Sequence, residues 1–91
     1  MANVILSLKI MPKSPDEDLN KIEEEIKKEV SSFGAEVGKV ETEPLAFGLN
    51  VLKIFIVMDE KKGDTEPLED KIRSLKGVES VEVVDVRRAI G

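Results

Sequence analysis

A chain of 91 residues with no cysteine and no histidine has only carboxylates, amines, guanidinium groups and hydroxyls with which to do chemistry. It lacks the commonest metal ligands, the usual general base at neutral pH and the usual partner of a Ser nucleophile, which excludes most enzyme classes. Three groupings of charged or aromatic residues remain as candidates. The acids between Asp16 and Glu29 would suit a divalent cation, but they alternate with Lys on a helical pattern and no loop with ligand spacing and a central Gly holds them, so they read as a solvated helix face. Lys61-Lys62-Gly63-Asp64 has the composition of half a phosphate loop without the Gly-x-x-x-x-Gly-Lys-Thr spacing, and reads as a polar turn. Phe55 lies in a strand, where RNA-binding sheets stack bases, yet a net charge of −5 repels phosphate and no Lys/Arg-Gly-Phe motif accompanies it. No catalytic residue, metal ligand or cofactor site follows from the sequence, and direct binding of nucleic acid is not expected.

Two segments stand apart. Pro44-Leu45-Ala46-Phe47-Gly48-Leu49 sets an aromatic between Pro and Gly in a connection whose local pattern does not require one. Asp85-Val86-Arg87-Arg88-Ala89-Ile90-Gly91 gathers two Arg on an otherwise acidic protein. Taken singly, they read as a Phe folded back to cap the core and as an ordinary chain end.

The elements that hold these segments follow from apolar periodicity. Val4, Leu6, Leu8 and Ile10 alternate with Asn3, Ile5, Ser7 and Lys9, which predicts a first strand that Met11-Pro12 ends. Ser14-Pro15-Asp16-Glu17 has the form of a capping box with Pro at the first helical position, and Leu19, Ile22, Ile26, Val30 and Phe33 continue as one apolar stripe up to Gly34. Glu36 to Thr42 is a weaker, charged strand suited to a sheet edge, and Leu49 to Met58 is the most apolar strand, suited to the centre. Thr65-Glu66-Pro67 opens a second helix through Leu68, Ile72 and Leu75 that Gly77 ends; Val78, Val81, Val83 and Val86 supply the last strand, with Arg87 to Gly91 as a short tail.

Strand, helix, strand, strand, helix, strand is the split β-α-β pattern of an α+β, ferredoxin-like sandwich, a four-stranded antiparallel sheet with two helices on one face. The two most apolar strands, first and third, occupy its centre. With Leu6, Leu8, Ile54 and Ile56 toward the helices, Ile5, Ser7, Lys9, Val51, Lys53, Phe55 and Val57 form an uncovered face. With 41% hydrophobic and 36% charged residues, the chain is too apolar for disorder and too interrupted for a membrane span, and residues 1–91 are expected to form one cytoplasmic domain.

Pro44 to Leu49 running into Leu52-Lys53-Ile54, with Gly77-Val78-Glu79-Ser80-Val81 and the terminal Asp85-Val86-Arg87-Arg88, resembles the archaeal form of the translation elongation factor 1-beta family over essentially the whole chain. The Pro-Leu-Ala-Phe-Gly-Leu stretch is its most specific part. The resemblance implies guanine nucleotide exchange on elongation factor 1-alpha, achieved by binding, with no bond chemistry and no cofactor. It also implies that Pro44, Leu45, Ala46, Phe47 and Gly48 in the loop, and Asp85, Arg87, Arg88 and Ile90 near the end, touch the GTPase. In the larger eukaryotic factor a Lys beside the C-terminus reaches the magnesium site, whereas here Ile90 is penultimate and no Lys follows Asp85, which leaves Arg87 or Arg88 to supply charge. The oligomeric state stays open, with a monomer as the expectation. The rival reading is a ferredoxin-like ligand-sensing or assembly adaptor module without exchange activity.

Overall fold

The computed structural model describes residues 2–45, 48–62 and 64–90, without the side chains of Ala2, Lys62, Ala89 and Ile90. The chain runs β1 (Ala2–Pro12), α1 (Leu19–Phe33), β2 (Glu36–Pro44), β3 (Asn50–Asp59), a 3₁₀ turn (Glu60–Lys62), α2 (Glu66–Arg73) and β4 (Val78–Ile90). The strands form one sheet in the order β2-β3-β1-β4, with all three pairings antiparallel. The two most apolar strands therefore lie at the centre, where both backbone edges are paired.

Strict alternation in β3 puts Leu52, Ile54, Ile56 and Met58 on one face. They join Leu6, Leu8 and Ile10 of β1 beneath Ile22, Ile26 and Val30 of α1 and Leu68 and Ile72 of α2. Transferring each such aliphatic side chain out of water contributes roughly 1.5 to 3 kcal/mol, so this single layer supplies most of the folding drive. Leu19 and Phe33 of the predicted stripe, with Val37 and Val40 of β2, pack partly buried against it.

Helix α1 begins four residues later than its capping box suggests. Pro12 still pairs with Val78 and the Lys13 N–H donates to the Gly77 carbonyl at 2.9 Å, so the chain is engaged with β4 and needs residues 14–17 to turn. Ser14 makes that turn: its Oγ accepts from the Asp16 N–H at 3.3 Å and its carbonyl from Glu17 at 3.3 Å. The cap is Asp18, whose carboxylate accepts from the Asn20 N–H at 3.1 Å and the Lys21 N–H at 3.3 Å. Asp18→Ala should therefore cost about 1 kcal/mol of stability and Ser14→Ala under about 0.5 kcal/mol in urea unfolding. Equal losses, or the reverse order, would restore the earlier start.

Other boundaries move as well: β2 runs two residues past Thr42 to Pro44, because Glu43 and Pro44 pair with Val51 and Asn50 and so belong to the strand and not to the connection. The second helix stops at Arg73 with Ser74 as its cap, leaving Leu75 outside it, and Gly77, at φ +91°, turns the chain directly into β4. Gly34 caps α1 in the left-handed region at φ 94° as its position suggests. The residues after Val86 are not a tail. They continue β4 to Ile90, because the first half of β1 needs a neighbour: Asn3 pairs with Ala89, Val4 with Arg88 and Ile5 with Arg87.

Candidate interaction site

Of the residues implied to touch a partner, the sheet places the loop set at one end and Arg88 and Ile90 toward the other, with Arg87 level with Val57 and Asp85 at mid-sheet, level with Phe55. Pro44 pairs with Asn50 at the start of β3. Ala89 instead pairs with Asn3, which in turn faces Asp59 at the end of β3. Nine residue steps of about 3.3 Å separate those ends, about 30 Å, along a molecule whose longest extent is 42 Å. One partner touching both must lie along the strands.

At the loop end, Pro44 is exposed and Leu45 half-buried. The Leu45 N–H donates to the Leu49 carbonyl at 2.6 Å, closing the connection into a tight loop. Gly48 is exposed with φ +75° and an open surrounding, so its glycine is required by backbone conformation and not by crowding. Ala46 and Phe47 lie outside the described residues.

Toward the other end, two neighbouring cations are driven apart by strand alternation. Arg87 sits opposite Ile5 and Arg88 opposite Val4, so Arg87 lies on the helix-free face and Arg88 on the helix face. Each has an acidic partner. Arg87 Nε donates to Asp85 Oδ2 at 2.7 Å within β4, and Arg88 Nη2 donates to Glu60 Oε2 at 2.7 Å, tying β4 to the turn after β3. Arg87 uses only Nε in its pair, and 78% of its side chain is exposed. The backbone of Ile90 pairs with Ala2.

The helix-free face is more closed than alternation alone suggests. Val51 is fully buried there although neither helix covers that face, and Ser7 is buried between its register neighbours Phe55 and Asp85. Ile5, Lys9, Lys53, Phe55 and Val57 are half-buried. Lys53 Nζ stands 5.7 Å from the centre of the Phe55 ring. With Ile5, Val84, Asp85 and Arg87, these two residues and Ser7 line a shallow hollow of about 490 Å³.

One structural feature was missed by the strand prediction. Ser7 faces Asp85 but Leu8 faces Val83, so Val84 is an extra residue, a β-bulge in β4. The run Val81, Val83, Val84, Val86 carries the signal, since its apolar positions change parity between Val83 and Val84. Among the described residues, the exposed large hydrophobics are Val83, Val84 and Val86, all around this bulge.

Four antiparallel strands backed by two helices in β-α-β-β-α-β order define the class, a small ferredoxin-like α+β fold. Solved structures agree at the level of fold. The ACT domain from GTP pyrophosphokinase of Chlorobium tepidum superposes with a TM-score of 0.62 at 19% identity, covering 90% of this chain and 99% of that one. The de novo designed protein Foldit4 does so with a TM-score of 0.63 at 23% identity, covering 98% of both. The family model described as the EF-1 guanine nucleotide exchange domain matches residues 5–89. Relatives over nearly the whole length include elongation factor 1-beta of Methanothermobacter thermautotrophicus, 40% identical over 97% of this chain and 98% of the relative. That of Methanosphaera stadtmanae is 43% identical over the same shares. The chain belongs to the EF-1 guanine nucleotide exchange domain family, and its function is guanine nucleotide exchange in translation elongation.

Proposed function

We propose that the chain exchanges nucleotide on elongation factor 1-alpha by contact and field alone, with the Phe47 loop as anchor and Arg87 as the cation that disturbs the magnesium and phosphate site. The observation that carries the choice of cation is the alternation that puts Arg87 and Arg88 on opposite faces of the sheet. Arg87 stands on the face without helices and keeps its terminal nitrogens outside its own ion pair, while Arg88 is spent holding β4 to the turn after β3.

The thermodynamics need no reacting group. A factor that binds the empty GTPase more tightly than the GDP-bound form weakens GDP by the same ratio. Placing a guanidinium near the bound metal competes with it for the phosphates, and losing the metal removes much of the electrostatic hold on the nucleotide. Exchanging Asp85 for a phosphate as the partner of Arg87 costs little, because an exposed pair of this kind is worth about 0 to 1 kcal/mol. No bond is made or broken in this reading. The factor acts in the cytoplasm, engages the GTPase as a single copy with β4 free, and contacts no nucleic acid directly.

Release of labelled GDP from elongation factor 1-alpha, timed with and without a saturating amount of the chain, tests the whole reading, and an unchanged rate overturns it. Phe47→Ala should weaken binding to the nucleotide-free GTPase by about tenfold, the usual effect of removing an interface aromatic. Titration calorimetry that finds wild-type affinity would take the loop out of the contact.

A further inference from the structure

The two edges of this sheet are defended unequally. Both β2 and β4 are edge strands, each interrupted by a bulge, at Gly38 in β2 and at Val84 in β4, and an unpaired edge invites another strand most where exposed apolar side chains flank it. Among the described residues, β2 exposes no large hydrophobic, while β4 exposes Val83, Val84 and Val86 at 37, 43 and 59%.

We propose that β4 pairs edge to edge with β4 of a second copy of this chain, giving a two-fold dimer with one continuous eight-stranded antiparallel sheet. The charged and apolar positions of β4 together select occupant and register. Because Val84 is an extra residue, Val84 and Asp85 together occupy one step of the pleat, and a two-fold axis through that step pairs residues whose numbers are symmetric about it. Val83 then faces Val86 of the other copy on the helix side. On the helix-free side Glu82 faces Arg87 of the other copy. Both contacts occur twice, as a self-complementary interface requires. The assignment is consistent face by face, since Val83 and Val86 lie opposite the buried Leu8 and Leu6, while Glu82 and Arg87 lie opposite Lys9 and Ile5.

Neighbouring registers with the same face matching lose this agreement. Moving the axis one residue toward the N-terminus sets Glu82 against Asp85 of the other copy. Moving it one residue toward the C-terminus keeps two opposite-charge pairs, Asp85 against Arg87 of the other copy, but sets Val83 against Arg88 and Glu82 against Ala89, so both Val83–Val86 contacts are lost. In the chosen register the two Asp85 carboxylates approach each other across the axis, and the 2.7 Å pair each makes with Arg87 offsets their repulsion. Opposite charges directly across an antiparallel pair stabilise it and like charges destabilise it.

The inference does not rest on the exchange reading: the dimer occupies Arg87, so exchange belongs to the single copy, and the test contains no GTPase. Sedimentation equilibrium of the full chain from about 10 µM to about 1 mM covers the affinities expected of a small interface, and should give a mass rising from one copy to two. Arg87→Glu and Glu82→Arg should each weaken the dimer by about thirtyfold, because each sets two like-charged pairs across the axis. The double variant with both changes should regain it. Circular dichroism of each variant would establish that the exposed changes leave the fold intact. A chain monomeric up to about 1 mM, a dimer indifferent to the single changes, or a double variant that stays monomeric would each overturn the proposal.

Discussion

Arg87→Ala should slow stimulated GDP release by about thirtyfold, and Arg88→Ala should change it by less than about twofold. The first figure follows from deleting one hydrogen-bonded charge at a phosphate or metal site, worth about 2 kcal/mol. The second follows from geometry, because Arg88 faces the helix side and holds Glu60 at 2.7 Å. Loss of that exposed pair shows up, if at all, as less than about 1 kcal/mol of stability. Stopped-flow release of fluorescent GDP at saturating factor separates the two. Equal slowing by both variants would mean that the two faces do not matter and that net charge alone acts; a reversal would move the role to Arg88. Deleting Arg87 to Gly91 is a poorer experiment, because it strips the partners of Ala2, Asn3, Val4 and Ile5 from the sheet.

The largest loss of stability should come from Ile54→Ala. Ile54 is fully buried at the centre of β3, opposite Leu8 of β1 and Val40 of β2, and strands on both sides keep the backbone from collapsing into the space left. The cost is about 4 kcal/mol, against a total of roughly 5 to 14 kcal/mol for a chain of this length. Val86→Ala, at a site 59% exposed, should change stability by less than about 0.5 kcal/mol. Urea unfolding followed by circular dichroism reads both, and a loss below about 1 kcal/mol for Ile54→Ala would contradict the layered core described above.

The central sheet was legible because the alternation in β1 and β3 is set by one requirement, a dry face against the helices, and that requirement acts residue by residue. The helix start was misread for the opposite reason. Ser14-Pro15-Asp16-Glu17 satisfies a local rule, but what decides the start is a contact across the chain, Lys13 to Gly77. The end of β4 was lost in the same way: adjacent Arg87 and Arg88 interrupt apolar alternation, and only pairing with the first half of β1 makes them strand residues. The loop residues Pro44 to Gly48 were singled out on composition and resemblance together. That Arg87 and Arg88 face opposite ways could not be read until the strand was known to continue through them.

The separation of the loop end from Arg87, which is opposite Ile5 and so level with Val57, by seven residue steps or about 23 Å of paired strand turns the domain into a fixed-length tether. Once the loop end has seated, the guanidinium at the other end of that span meets its target as an intramolecular event, at an effective concentration set by the sheet and not by the amount of factor in solution. Because so large a distance leaves the two contacts without shared neighbours, their free energies should add. A chain carrying both Phe47→Ala and Arg87→Ala should then lose catalytic efficiency by the product of the two single losses.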